Sequence, residues 1–104
     1  MIEINIPTGI DGFMEDKEVA KEFRRNQIIP ALQAGETVIL DFSGVKYVTQ
    51  SFVHALIHEA LKRFGEEVLD RFEFRNCSKS VKSIIELVVE YSFDGFQNQS
   101  ATAV

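Results

Sequence analysis

A chain of 104 residues with 45% hydrophobic and 26% charged residues fits one folded domain around one core, and excludes global disorder. Its formal net charge of -5 leaves no surplus of Lys and Arg to neutralise nucleic-acid phosphate or an anionic membrane, so neither is an expected partner. Cys77 is the only cysteine, which excludes an internal disulfide and a cysteine-based zinc cluster.

The first residues, MIEINIPTG, lack the basic region and long apolar stretch of a signal peptide, and no apolar run reaches membrane-spanning length. The expected location is the cytoplasm. Ile2, Ile4 and Ile6 alternate with Glu3 and Asn5, the pattern of a half-buried strand that ends at Pro7-Thr8-Gly9. Gly9 to Gly12 reads as loop. Asp16 is placed to cap a helix with Glu18 in its first turn, where a negative charge suits the dipole. Val19, Phe23, Ile28, Ile29 and Leu32 supply its apolar side. Pro30 lacks an N–H and its ring meets the carbonyl four residues back, so the pattern predicts a kink or break near Asn26–Ile29. Two pieces are expected, Lys17 to Gln27 and Pro30 to Gln33, with Gly35 as the stop.

Thr37 to Asp41 carries an unbroken apolar run, which predicts a central parallel strand buried on both faces. A turn at Phe42-Ser43-Gly44 follows, and Val45 to Val48 leads to Thr49-Gln50-Ser51. From Ser51 to Phe64 the apolar positions Phe52, Val53, Leu56, Ile57, Ala60, Leu61 and Phe64 recur at helical spacing, and Gly65 stops the helix. Glu66 to Arg71 reads as a short helical turn and Phe72 to Arg75 as a strand. Asn76 or Ser78 caps a last helix with Val81, Ile84, Ile85 and Val88 inward. Leu87 and Val89 widen that stripe, which predicts cover on more than one side. Residues 1–92 form the single domain, and 93–104 read as a flexible tail in which Phe93 and Phe96 are the apolar exceptions. Strand and helix alternate three times. That order predicts a small two-layer α/β domain with a mixed, mostly parallel sheet and helices mainly on one face.

The strings FRRNQIIPAL, VILDFSGV and QSF, followed by Asn76-Cys77-Ser78, resemble the STAS-like family of uncharacterised bacterial domains. That family is similar to the STAS domains of anti-sigma factor antagonists. The resemblance covers Phe13 to Ser92, and its most specific part is Asp41-Phe42-Ser43-Gly44-Val45 followed by Ser51-Phe52. It implies a STAS-like fold and non-catalytic regulation through protein–protein contact. In those antagonists an anti-sigma-type serine kinase phosphorylates a serine at the start of the helix after the corresponding strand. Aligned without gaps from Asp41, Thr49, Gln50, Ser51 and Phe52 fall on that four-residue motif. The acceptor position then falls on Gln50, which carries no hydroxyl, while Thr49 and Ser51 flank it.

The chemistry-bearing residues each have two readings. Thr49 and Ser51 are phosphate acceptors beside the positive end of a helix, or simply caps that satisfy its free N–H groups. His54 and His58, four apart on one helix face, have the spacing of a zinc pair. They lack a third ligand and the Glu of a metalloprotease helix, so a solvated or contact face is expected and no metal or cofactor. Asp41 and Ser43 lack the elbow and neighbouring histidine of a serine nucleophile, and Asp41 reads as a turn cap. Cys77 sits where a helix dipole favours a thiolate, or is a small half-buried residue. Lys21, Arg24 and Arg25 with Glu18 and Glu22 read as a charge-paired helix face. The expected interaction surface is Ser43, Gly44, Thr49, Gln50, Ser51, His54 and His58. The function to expect is a protein-interaction module and not an enzyme. The alternative is a sensor of a nucleotide or other anion around Thr49–Ser51. Oligomeric state is left open.

Overall fold

The computed structural model describes residues 1–95. In chain order they form β1 (Ile2–Asn5), β2 (Phe13–Met14), α1 (Lys17–Phe23), a π-helical segment (Arg24–Ile28), α2 (Ile29–Gln33), β3 (Val38–Asp41), β4 (Tyr47–Val48), α3 (Gln50–Phe64), a 3-10 segment (Glu66–Arg71), β5 (Phe72–Arg75), α4 (Lys79–Glu90) and a π-helical turn (Tyr91–Gly95). Strands β1, β3 and β5 make one sheet with β3 central, and β2 pairs with β4 in a second, two-residue ladder. Every ladder is parallel, and the antiparallel element is the isolated bridge between Ile10 and Phe13. The small α/β architecture with a mostly parallel sheet is therefore as expected. The ladder of β2 and β4 is an addition to it.

Strand register explains the two layers. Ile2, Val38 and Phe72 form one cross-strand row and Ile4, Leu40 and Phe74 another, and both rows join the helices in the core. The alternate residues face the other way, as a pleat of period two requires. Glu3, Ile39 and Glu73 form a row there, and Asn5, Asp41 and Arg75 the next. Ile39 is buried yet lies outside the helix-covered core. Its cover is ionic. Arg75 Nε donates to Glu73 Oε2 at 2.7 Å and Arg75 Nη1 lies 3.8 Å from Glu3 Oε1, so one guanidinium reaches from β5 across β3 to β1. The predicted burial of β3 on both faces holds, but charged side chains and not a second helix layer supply the outer cover.

Helix α3 packs between α1 and α4, and buries Phe52, Val53, Ala55, Leu56, Ile57, Ala60 and Leu61. Gly65 ends it, with its N–H on Leu61 O at 2.9 Å. Asp16 caps α1 by accepting from Glu18 N–H at 3.0 Å. The kink or break expected near Asn26–Ile29 takes the form of a π segment, Arg24–Ile28, that joins the two expected pieces instead of parting them. Phe23, Ile28 and Ile29 keep right-handed helical angles, and Ile29 N–H bonds to Arg24 O, five residues back. The wider π turn takes up the missing donor and the proline ring while the chain continues from Lys17 to Gln33. It also lets the consecutive Ile28 and Ile29 both bury. Helix α4 buries Val81, Ile85 and Val88, with Ile84 half-buried. Of the two residues expected to widen that stripe, Val89 packs half-buried against the core, whereas Leu87 is exposed and is corrected to a solvent-facing position. The predicted tail starts too early: Phe93 packs half-buried against the core within the Tyr91–Gly95 turn. Residues 96–104, Phe96 among them, lie outside the described residues.

Candidate functional site

The loop after β3 is built on one carboxylate oxygen. Asp41 Oδ1 accepts from Ser43 N–H at 2.9 Å, from Ser43 Oγ–H at 2.7 Å and from Asn76 Nδ2–H at 3.0 Å. Asn76 reaches it from a left-handed backbone, φ +59°, and Phe42 N–H donates to Arg75 O at 2.9 Å. The ends of β3 and β5 are thus tied together. The Asn76 amide, then the Ser43 hydroxyl and N–H, hold the Asp41 carboxyl below its ordinary range. So stabilised a carboxylate is a weak base, and the Asp41–Ser43 pair locks a turn. Gly44, at φ +81°, completes that turn so close to Thr8 that a Cβ would lie 2.9 Å from Thr8 Cγ2. Ser43 and Gly44 are exposed there.

At the start of α3 the hydroxyl residues divide. Thr49 is half-buried and spends its side chain as the cap, with Oγ1 accepting from Phe52 N–H at 3.1 Å. Its own N–H donates to Met14 O at 3.3 Å, extending the β2–β4 ladder. Gln50 and Ser51 follow in the first turn and are exposed. They line a shallow groove with His54 from α3, Lys17 and Lys21 from α1, and Arg24 from the π segment. Those basic residues recur at spacings of four and three along one helix stripe, to which Lys17 adds a member beyond the Lys21, Arg24 and Arg25 cluster of the sequence. The expected charge-paired face is also partly redrawn. Lys21 pairs with Glu18 at 3.2 Å, whereas Arg24 turns to α3, donating to Ala55 O at 3.3 Å and lying 3.6 Å from Glu59 Oε1.

His54 and His58 stack with ring centroids 4.1 Å apart and planes 18° apart. Their Nδ1 atoms meet the end of the described chain, His54 at Tyr91 OH (2.6 Å) and His58 at Ser92 Oγ (2.8 Å). Ser92 Oγ–H donates its one proton to Val88 O at 2.6 Å, so towards His58 that oxygen accepts and His58 Nδ1 carries a proton. Burial lowers both imidazole pKa values. Arg24 adds to this at His54, and His54 and Lys62 add to it at His58. Tyr91 and Ser92 thus part-cover the face expected to be solvated. Stacked rings aim their nitrogens at separate partners, and among the described residues no group of three or more His, Cys, Asp or Glu is placed to hold a metal ion. Cys77 is half-buried, and burial, with Asp41 nearby, raises its thiol pKa, which works against the dipole-favoured thiolate.

The expected surface is therefore spread over three places. Ser43 and Gly44 sit on the turn beside Thr8, Gln50 and Ser51 open onto the basic groove, and His54 and His58 run from that groove to the Tyr91–Ser92 turn. In chain order β4 lies between the first and the other two. No curated protein and no solved structure matches the chain. A family's sequence model does, over residues 19–82, more than half of the chain and the stretch that includes Asp41, the start of α3 and the cap of α4. With that match and a parallel sheet covered by helices on one face, the chain belongs to the family described as STAS-like domain of unknown function (DUF4325).

Proposed function

We propose that this chain is a non-catalytic regulatory module of bacterial signalling. It works in the cytoplasm by contact with a protein partner, in the manner of an anti-sigma factor antagonist. The observation that carries the reading is the start of α3, where Gln50 and Ser51 stand exposed beside Lys17, Lys21 and Arg24 while Thr49 is consumed as the cap. Membership of a STAS-like family supports the same reading. No helix of the described residues is long and apolar enough to cross a membrane. Ser43 and Asp41, the pair nearest to a nucleophile and base, are bonded to each other in a turn. The partner includes a serine kinase of the anti-sigma type, and Ser51 rather than Thr49 is its acceptor. A phosphate on Ser51 gains the helix N–H groups and the basic groove. The test is affinity capture from the source cell. Wild type should capture a saturable partner that Gln50→Arg loses; no partner, or capture indifferent to Gln50→Arg, overturns the reading. Intact mass after incubation with the captured kinase and ATP should rise by one phosphate, and Ser51→Ala should abolish the gain.

The basic lining of that groove also favours a second reading, in which it senses a nucleotide or other anion. A ligand that binds the folded state alone must raise the melting temperature. A nucleotide and metabolite panel without any such rise removes this reading.

A further inference from the structure

Among the described residues the large exposed apolar side chains are Met1, Ile10, Phe13, Tyr47 and Leu87, and three of these form one row. Ile10 bridges antiparallel to Phe13, and Phe13 is the direct parallel partner of Tyr47. Directly paired residues point to the same side of a sheet, so Ile10, Phe13 and Tyr47 stand side by side. They are 82%, 42% and 56% exposed, while Met14 and Val48, the next pair in the same ladder, are buried at 4% and 6%. The ladder thus has a core face and an apolar outer face.

The loop that presents this row turns through three left-handed residues. Gly9, Asp11 and Gly12 all hold left-handed angles, φ +70°, +53° and +81°. At Gly9 a Cβ would lie 2.1 Å from Phe13 O, and Asp11 bears a side chain in a conformation that costs about 1 kcal/mol or more. Strain of this kind that ends in an isoleucine offered to water is not explained by folding, because burying that side chain is what would stabilise the fold. A groove runs from the row along the start of α1, and Asp11, Glu15, Asp16 and Glu18 line it against one cation, Lys17. Even with Glu18 paired to Lys21, carboxylate is in excess.

We infer that the Ile10–Phe13–Tyr47 row and its acidic groove dock a basic segment of a protein partner, one that inserts an aromatic or aliphatic side chain between flanking Lys or Arg residues. The inference rests on the reading of the chain as a protein-contact module, and assigns it a surface apart from the α3 groove. Charge selects the occupant. An anionic membrane would bring negative charge to a negative groove, and residues 96–104 contain no Lys or Arg. A row that sets a tyrosine and a phenylalanine beside a polar groove fits the anchor-and-rim anatomy of contact surfaces.

The test is selection of a random peptide library displayed on phage against the full chain, with Ile10→Ser and Tyr47→Ser as controls whose circular dichroism matches wild type. The enriched peptides should combine an aromatic or aliphatic residue with Lys or Arg, and bind each variant about tenfold or more weakly. Amide shifts of a labelled chain should change along Ile10–Glu15 and at Tyr47. An acidic consensus, no enrichment, shifts confined to Gln50–His54, or concentration-dependent dimerisation that Ile10→Ser abolishes, each overturns the inference. Cell-lysate capture separates the two proposals. A partner lost with Gln50→Arg but kept with Ile10→Ser sinks this inference alone, and basic peptides that bind the row when no partner is captured sink only the proposed role of the α3 groove.

Discussion

Helices α3 and α4 begin in the same way and are used differently. Each is capped by a hydroxyl that accepts from the N–H three residues on, Thr49 from Phe52 and Ser78 from Val81, both at 3.1 Å. Each capped N–H belongs to a fully buried residue. Around α4 the cap itself and the residue two before it are tied to the rest of the chain. Ser78 Oγ–H donates to Lys46 O at 2.8 Å, and Asn76 is held by Asp41. Around α3 the next two residues, Gln50 and Ser51, open onto a basic groove. Identical capping chemistry thus yields one start that is a fastening and one that is available to a partner. What distinguishes them is what the rest of the chain brings to each: Lys46 O and Asp41 at the start of α4, and the basic stripe of Lys17, Lys21 and Arg24 at the start of α3.

The largest break strikes what the two starts share. Phe52→Ala removes a fully buried ring under the first turn of α3 and should cost about 3–5 kcal/mol, measured by urea unfolding. Ser78→Ala removes the cap and the bond to Lys46 together, for a loss of about 2 kcal/mol. Thr49→Ala removes a cap alone and should cost about 1 kcal/mol. Equal losses for Ser78 and Thr49 would contradict the distinction between fastening and open start.

Acidity tests the link between the exposed side of α3 and the turn that follows α4. His54 and His58 have folded pKa values below their ordinary 6.5, so on acidification the unfolded chain takes up protons first. Their contribution is therefore full above about 6.5 and is lost as pH falls through the folded values. The melting temperature should drop from pH 7.5 to pH 5 with a slope that His54→Gln/His58→Gln flattens. An unchanged slope in that double variant would show that the Tyr91–Ser92 contacts do not depend on neutral imidazoles. The smallest effect belongs to Ser51→Ala, which should leave stability within about 0.5 kcal/mol, since no fold contact is lost. A larger loss would mean that the open start is structural after all.

Local signals in the sequence account for much of this fold. The alternation of Ile2, Ile4 and Ile6, the run Val38–Leu40, the stripe of α3 and the Asp16 and Ser78 caps are each decided within a few residues, so their places could be read directly. The β2–β4 ladder could not, because two residues, Phe13-Met14 and Tyr47-Val48, are too few to show a period of two. Pro30 marked the place of an irregularity but not its form. A proline signals a break in an isolated helix, but here burial of Ile28 and Ile29 favours a π turn that keeps the helix whole. At the candidate site, Asp41, Thr49, Gln50 and Ser51 were legible as a strand end and a helix start. The partners that give them meaning were not: Asn76 lies 35 residues from Asp41, and Tyr91 lies 37 from His54. Such pairings are set by packing. Only the Lys17, Lys21, Arg24 stripe carried a usable sign in advance.

The ion-paired face of the sheet has a consequence for solubility. Strands β1 and β5 each leave one edge without a strand partner among the described residues, and open parallel edges invite other chains to add on by main-chain hydrogen bonds. Each edge strand here is only four residues long, and each displays charge: Glu3 on β1, Glu73 and Arg75 on β5. An incoming apolar strand would have to displace or desolvate those ions to lie flat beside the sheet. The guanidinium that roofs Ile39 therefore also guards against stacking into fibres. Arg75→Leu/Glu73→Leu should betray this as light scattering at high concentration, ahead of any change in melting temperature.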